Sequence, residues 1–457
     1  MQSGNDFSRG SIPRNILSMA LPMTAAQLIN ILYNIVDRMY IGRIPGEGRL
    51  ALTGLGLCLP IISILMGFAN LCGMGGAPLC SIHRGRGEEK EAEAIMGNSF
   101  TLLILFGVVL TALCFWFRRP ILYLFGASDV TYPYADGYLA LYLLGTLFVM
   151  IGLGMNPFIN SQGFGRIGMG TVALGALVNI VLDPVFIFGL GMGVRGAALA
   201  TILSQACSAA WVLLFLTGKQ SLLKLRPAAL RLQADRVRKI LSLGLSGFMM
   251  SMTNSLVQVL CNATLQQWGG DLYVGVMTVV NSIREVISMP VSGITSGSQP
   301  VLGFNYGANE YGRVREGIRF VFWLTMIYSV IVWLSTLAFP ELLIRIFNDD
   351  PELIRDGVPA FRIYFATFAC MSFQFIGQSI FVGLGRSRQA IFFSLLRKAV
   401  IVAPLTLILP YCFGLGVNGV FLAEPISNVL GGLACILTMY VTVYRPLGQE
   451  AARPYLK

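Results

Sequence analysis

The sequence predicts an all-α polytopic membrane protein with twelve transmembrane helices in two pseudo-symmetric six-helix lobes. Three observations lead there. The 457 residues are 55% hydrophobic and 12% charged, about half the charged share of a soluble domain, and mean hydropathy is +0.71. Apolar stretches long enough to cross roughly 30 Å of hydrocarbon recur along the whole chain. Finally, the two halves of the chain repeat each other.

The first set of stretches falls at about 15–42, 51–80, 94–117, 136–163, 167–190 and 195–217. The second falls at about 239–267, 273–303, 317–339, 359–384, 389–413 and 417–444. Residues 1–13 are polar, and the run after them contains Pro22 and Asp37. That is no cleavable signal peptide, so the first span is expected to remain. Between the sets lies the longest polar connector. The chain divides into an N-terminal lobe (1–218), a basic connector (219–238) and a C-terminal lobe (239–457).

The repeat shows in paired motifs. Arg14-Asn-Ile-Leu-Ser is echoed by Arg238-Lys-Ile-Leu-Ser, and Pro78 and Gly85 by Pro300 and Gly307. Gly163-Phe-Gly-Arg166 is matched by Gly383-Leu-Gly-Arg386. Gly191-Met-Gly-Val-Arg-Gly-Ala-Ala-Leu-Ala200 is matched by Gly414-Leu-Gly-Val-Asn-Gly-Val-Phe-Leu-Ala423. A unit of six spans returns the chain to its starting side. The copies therefore share one orientation and are expected to be related by an axis along the membrane normal, with a cavity between them.

The net charge of +11 is carried mainly in the loops, where topology explains it without a nucleic-acid partner. With the N-terminus inside, 21 Lys and Arg residues, up to Arg453 and Lys457, fall on the inner side and eight on the outer side. Both termini are therefore expected in the cytoplasm. The acidic cluster Asp349, Asp350, Glu352 and Asp356 then falls outside. Nine cysteines without a C-x-x-C pair, nearly all in apolar runs, read as single buried thiols. One histidine, His83, leaves little room for imidazole chemistry or a metal site. No G-x-x-x-x-G-K-[ST], H-E-x-x-H or G-x-S-x-G occurs, so ATP hydrolysis and the common hydrolase chemistries have no carrier. The intramembrane Gly73-Met-Gly-Gly76 and Ser296-Gly-Ser298 suit close helix packing better than phosphate binding.

Function is expected from polar side chains inside the spans. Gln27, Asn30, Tyr33, Asn34 and Asp37 step by three and four along one stripe of the first span. An ionisable group in such a span costs about 2.5–3.5 kcal/mol on insertion scales. Asp37 is thus the first functional candidate, the alternative being a carboxylate near the helix end paired with an arginine. The fifth span offers Asn179 and Asp183 one turn apart before Pro184, and the sixth offers Thr201, Ser204, Gln205 and Ser208. The fourth offers Asn156 and Asn160 around Pro157. Helix–helix glue accounts for the hydroxyls and amides but not for two carboxylates in one six-helix unit.

The second half differs. Cys261 and Ala403 stand opposite Asp37 and Asp183, while Gln258, Asn262, Gln374 and Gln378 continue polar stripes. Intramembrane charges are Arg284, Glu285, Arg397, Lys398 and Glu424, with Glu285 or Glu424 as possible partners of Arg397 and Lys398. This asymmetry suggests that the first half binds a coupling ion and that both halves line a substrate cavity.

Tyr33-Asn-Ile-Val-Asp37 with Ile41-Gly-Arg, Gly303-Phe-Asn-Tyr-Gly-Ala308, Asn179-Ile-Val-Leu-Asp-Pro-Val-Phe-Ile-Phe-Gly-Leu190 and the duplicated Gly-x-Gly-Val-x-Gly resemble the multidrug and toxic compound extrusion (MATE) transporters, closest to their prokaryotic DinF-like branch. The resemblance covers essentially the whole chain. It implies a cell-membrane exporter of organic, often cationic, drugs or toxic metabolites. Its driving force would be exchange for H⁺ or Na⁺, with no further cofactor and no enzymatic activity. Small organic substrates and the lipid bilayer are its implied partners, nucleic acid is not, and the chain would act as a monomer.

Carried over residue by residue, the resemblance makes Asp37 and Asp183 the ion-site acids and Asn179 and Thr201 further ligands. Tyr33 becomes the aromatic beside the first acid, and Pro22 the point where the first helix bends. Substrate-cavity candidates are Gln27, Asn30, Asn34, Asn156, Asn160, Gln258, Asn262, Glu285, Gln374 and Gln378. Two acids close together in low dielectric cannot both stay ionised cheaply, so they are expected to share a proton or Na⁺. The alternative is a flippase or exporter for a lipid-linked saccharide or other anionic substrate, using Arg284, Arg397 and Lys398. A major-facilitator transporter fits the duplication too, but Gly85-Arg-Gly-Glu-Glu-Lys-Glu lacks that family's loop signature. An intramembrane aspartyl enzyme would need glycines that do not follow Asp37 or Asp183.

Overall fold

A computed structural model describes residues 6–347 and 350–452. Asp349, Arg453 and Lys457 lie outside the described residues. The elements are helices throughout. In the first half they are α1 (Ile12–Gly42), α2 (Gly48–Gly85), α3 (Glu89–Leu124), α4 (Tyr132–Leu144), α5 (Thr146–Ser161), α6 (Gly165–Pro184) and α7 (Val194–Thr217). The second half holds α8 (Ala234–Gly307), α9 (Tyr311–Ala338), α10 (Pro340–Arg345), α11 (Pro351–Phe365), α12 (Phe368–Gly383), α13 (Ser387–Leu395), α14 (Ala403–Cys412), α15 (Gly416–Met439) and α16 (Arg445–Ala452).

Nine helices among the described residues are long and apolar enough to span a membrane. Two bent pairs, α4 with α5 at 58° and α11 with α12 at 44°, add two spans. The 74-residue α8 breaks at Gly270, where φ is +66°, and counts as two. The chain is therefore an all-helical membrane protein of twelve spans, as the hydropathy pattern predicts.

The duplication is written in the backbone. Left-handed positions pair across the halves: Gly46 with Gly270, Gly87 with Asn309, Gly163 with Gly385, Gly191 with Gly414, and Gly193 with Gly416. Each ends or breaks a helix where a Cβ costs energy. Asn309 is the single non-glycine of this kind among the described residues, and asparagine tolerates that conformation best after glycine. The pairing corrects one register. Gly163 matches Gly385, two residues beyond the Gly383 that sequence similarity places opposite it.

Two compact units form, one essentially Leu21–Gly244, the other Phe7–Ala20 with the chain from Leu245 onward. The sequence repeats divide at the connector, whereas packing assigns the first turns of α1 and of α8 to the other unit. Glycine is the reason. A Cβ on Gly75 of α2 would lie 2.1 Å from the Ile240 carbonyl oxygen, and one on Gly244 would lie 1.8 Å from that of Leu71. The backbones of α2 and early α8 thus touch, as small residues permit in membranes. In the second unit a Cβ on Gly297 would lie 2.6 Å from the Ala20 backbone nitrogen. Gly297 and Ala20 are the repeat counterparts of Gly75 and Gly244.

The connector is a strap on the first unit. The buried Gln162 accepts through Oε1 from Ser221 Oγ (2.9 Å) and the Leu223 amide (2.8 Å). Asn98 Oδ1 accepts from the Gln233 amide (2.9 Å), and Thr101 donates to the Leu230 carbonyl (2.8 Å). Arg236 grips Glu91 with two bonds of 2.8 and 2.7 Å. In the second unit Asn305, from the Gly303–Ala308 motif, and Arg313 hold the Phe7 carbonyl at 3.2 and 3.0 Å.

Candidate functional site

In the first unit α1, α6 and α7 bring Asp37, Asp183, Asn179 and Thr201 together. Asn179 and Asp183 lie one turn apart, so their side chains share a face of α6. Asn179 Nδ2 donates to Asp183 Oδ1 and to Thr201 Oγ1, both at 3.4 Å. These bonds lie at the long end of the hydrogen-bond range, so the group is loosely held. Asp37 and Asp183 face each other within hydrogen-bonding reach. Both acids and Asn179 are buried.

Three oxygens in this group have no hydrogen-bond partner among the described residues: Asp37 Oδ1, Asp183 Oδ2 and Asn179 Oδ1. Unpaired buried oxygens are costly, and three of them beside a carboxylate pair make a donor set fitted to a proton or a small cation. Asp37 thus stands against another acid, not in an arginine pair at a helix end. Tyr33, one turn before Asp37, lies beside both carboxylates and within hydrogen-bonding reach of Gln205. Tyr138 of α4 lies beside Asp37 and within reach of Thr201. Sequence reasoning missed Tyr138, and it placed Gln205 on a polar stripe without a role. Nothing in the local pattern of α4 distinguishes Tyr138 from the packing aromatics around it.

The local backbone is loosened here. Directly after Pro184 the helix opens into a π turn, Val185–Gly189, and such widened turns recur at functional sites. In the second half the π turn, Leu396–Val402, precedes Pro404.

The cavity candidates are arranged otherwise. Asn156 clamps α5 to α6, its Nδ2 donating to the Gly168 carbonyl (2.9 Å) and to Thr171 Oγ1 (2.7 Å), while Asn160 donates to Asn156 Oδ1 within α5 at 3.1 Å. In the second unit Gln374 and Gln378 clamp α12 to α13, donating to the Phe393 (2.9 Å) and Ala390 (2.8 Å) carbonyls. Asn156, Gln374 and Gln378 tie helices together, and Asn160 Oδ1 and both glutamine oxygens have no hydrogen-bond partner among the described residues. Asn34 donates within its own helix to the Asn30 carbonyl at 2.7 Å. Gln27 and Asn34 are half-buried and Asn30 is exposed, while in the second unit Gln258 is exposed and Asn262 half-buried.

The pairing of Glu285 with Arg397 or Lys398 is corrected. Glu285 is exposed, and the buried bases pair with Glu424 instead. Arg284 and Glu285 are successive on a helix and diverge by about 100°, so only one of them points inward, and it is the arginine.

A family model described as MatE matches residues 22–185 and 247–408. The chain belongs to the MatE family. One matched segment falls in each copy of the repeat. Among curated MatE relatives, the multidrug export protein MepA of Staphylococcus aureus (strain N315) is 23% identical over 437 residues, 95% of either chain. Two solved structures share the fold. One, described as MATE in the bent conformation, has a TM-score of 0.91 at 22% identity over 98% of both chains. Another, in the straight conformation, has a TM-score of 0.89 at 21% identity over 97% of this chain and 98% of that one.

Proposed function

We propose that this MatE protein is a secondary antiporter that exports organic compounds, cationic ones among them, in exchange for H⁺ or Na⁺. The observation that carries the reading is the buried Asp37–Asp183 pair with its unpaired oxygens. Repulsion between the facing acids is relieved when a proton or Na⁺ enters, and Asn179 and Thr201 add neutral oxygens suited to a cation. The multidrug export relatives support the substrate class.

Coupling needs only that ion and drug prefer different states of the protein. In α1, Pro22 sits where the helix passes from one compact unit to the other. Proline removes an internal hydrogen bond and eases bending. Ion loading at Asp37 therefore selects between a straighter and a more bent α1, which reshapes the export path. The distribution of basic residues supports a cell-membrane orientation with both termini cytoplasmic.

The test is efflux of a fluorescent organic cation from liposomes containing the purified protein. Proton and Na⁺ gradients are imposed separately, with Asp37→Asn beside wild type. One gradient should drive wild-type efflux, and the variant should lose it. If neither gradient moves the cation while wild type translocates a lipid-linked anionic substrate, the reading fails and the flippase alternative replaces it.

A further inference from the structure

The second half carries a polar cluster where the first half has its carboxylates. Cys261 is the counterpart of Asp37, Glu424 of Thr201 and Tyr364 of Tyr142, at the offsets of 222 to 224 that relate the repeats. These second-half residues converge. Cys261 lies within electrostatic reach of Glu424, Lys398 and Arg284, and Tyr364 lies beside Arg284, Glu424 and Arg397. All belong to the second compact unit.

The charge is reversed. Arg397 Nη1 donates to Glu424 Oε1 and to Asn428 Oδ1, both at 2.8 Å. Lys398 Nζ donates to both Glu424 oxygens, at 3.0 and 2.8 Å. Two successive side chains reach one carboxylate because they stand on the π turn Leu396–Val402, whose wider coil brings neighbours closer in angle. Arg284 completes the group from the second limb of α8. Its Nε is buried and finds no acceptor among the described residues. Arg397 and Lys398 thus engage Glu424, while Arg284 makes no ion pair with it and has Glu285 as its other acidic neighbour. Packing of α13–α15 around Glu424 explains one ion pair; it does not explain an arginine whose buried Nε has no acceptor.

We propose that this cluster is an anion-binding site, the charge-reversed repeat counterpart of the Asp37–Asp183 site. It takes one small monoanionic group, a halide or a carboxylate, against Arg284, while Glu424 holds Arg397 and Lys398 in place. A planar guanidinium with open donors suits a carboxylate in particular. The group arrives either as a free inorganic ion or as the carboxylate of a transported zwitterion. The site does not depend on the antiport reading, because the two clusters lie in different compact units.

The test uses the purified full-length protein in detergent. Thermal unfolding is followed as chloride replaces methanesulfonate, which is neither a halide nor a carboxylate, at fixed ionic strength and pH. In parallel, a carboxylate-bearing organic zwitterion is compared with its methyl ester. The wild-type midpoint should rise saturably with chloride, or with the acid and not the ester; the first result marks a free ion and the second a substrate carboxylate. Arg284→Gln should abolish the response. Asn428→Asp, which places a carboxylate beside Arg397, should abolish it too while unfolding no earlier than wild type in methanesulfonate, so a folding defect in Arg284→Gln leaves the test intact. Asp37→Asn should keep the anion response even when its efflux is lost. A wild type indifferent to both anions, or an Asn428→Asp protein that responds as wild type does, overturns the proposal.

Discussion

Thr201 and Glu424 occupy equivalent places, each eight residues after the second left-handed glycine of the duplicated Gly-x-Gly-Val-x-Gly turn, at Gly193 and Gly416. Thr201 accepts from Asn179 at 3.4 Å, whereas Glu424 accepts from Arg397 and Lys398 at 2.8 Å. One scaffold thus presents a neutral oxygen to an acidic site in one half and a carboxylate to a basic site in the other.

Thr201→Val keeps the shape and removes the oxygen. One neutral hydrogen bond is worth about 1 kcal/mol, so the apparent affinity for the coupling ion should fall about fivefold with maximal efflux preserved. Efflux rate measured against imposed ion concentration checks this. Asp183→Asn, which removes a charge, should lose gradient-driven efflux altogether.

Glu424→Gln strips two buried cations of their shared counter-ion. Breaking a buried pair from one side costs about 3–5 kcal/mol, which should lower the thermal midpoint in detergent and the yield of folded protein. Adding Lys398→Met should recover part of that loss, and the double-mutant cycle measures the coupling between them.

Gly75→Ala tests the helix crossing in the first unit. Its Cβ would have to displace the Ile240 carbonyl from 2.1 Å, and overpacking of this kind typically costs about 1–3 kcal/mol. Gly56→Ala, on the same helix with open space around it, should be neutral or slightly stabilising by the same thermal assay.

The connector strap should respond to pH. The hydrogen bond from Arg236 holds the Glu91 carboxyl below its ordinary value of 4.5, against a smaller opposing effect of burial. A depressed folded value means the contribution is fully present above pH 4.5 and is lost as pH falls below it. The pair is partly solvated, so its worth is at most about 1 kcal/mol. Amide protection factors in residues 219–233, taken relative to the intrinsic exchange rate at each pH, should fall below that pH to those of Arg236→Ala, which should already be low at neutral pH.

The sequence alone determined the membrane class, the twelve spans, the duplication and the pairing candidates Asp37, Asp183, Asn179 and Thr201. Hydropathy and three-to-four spacing are local properties, and an acid in an apolar span stands out against its own neighbours. Tertiary structure alone decided which faces meet. Spacing cannot tell that Asn156 and Gln374 spend their amides on an adjoining helix, that Tyr138 turns toward Asp37, or that Arg397 and Lys398 choose Glu424 over Glu285. It cannot place the start of α8 against α2 either, since that contact rests on Gly75 and Gly244, far apart in the chain, both lacking a side chain at one crossing. Partner choice depends on which helices pack together, and no single helix carries that information in its own period.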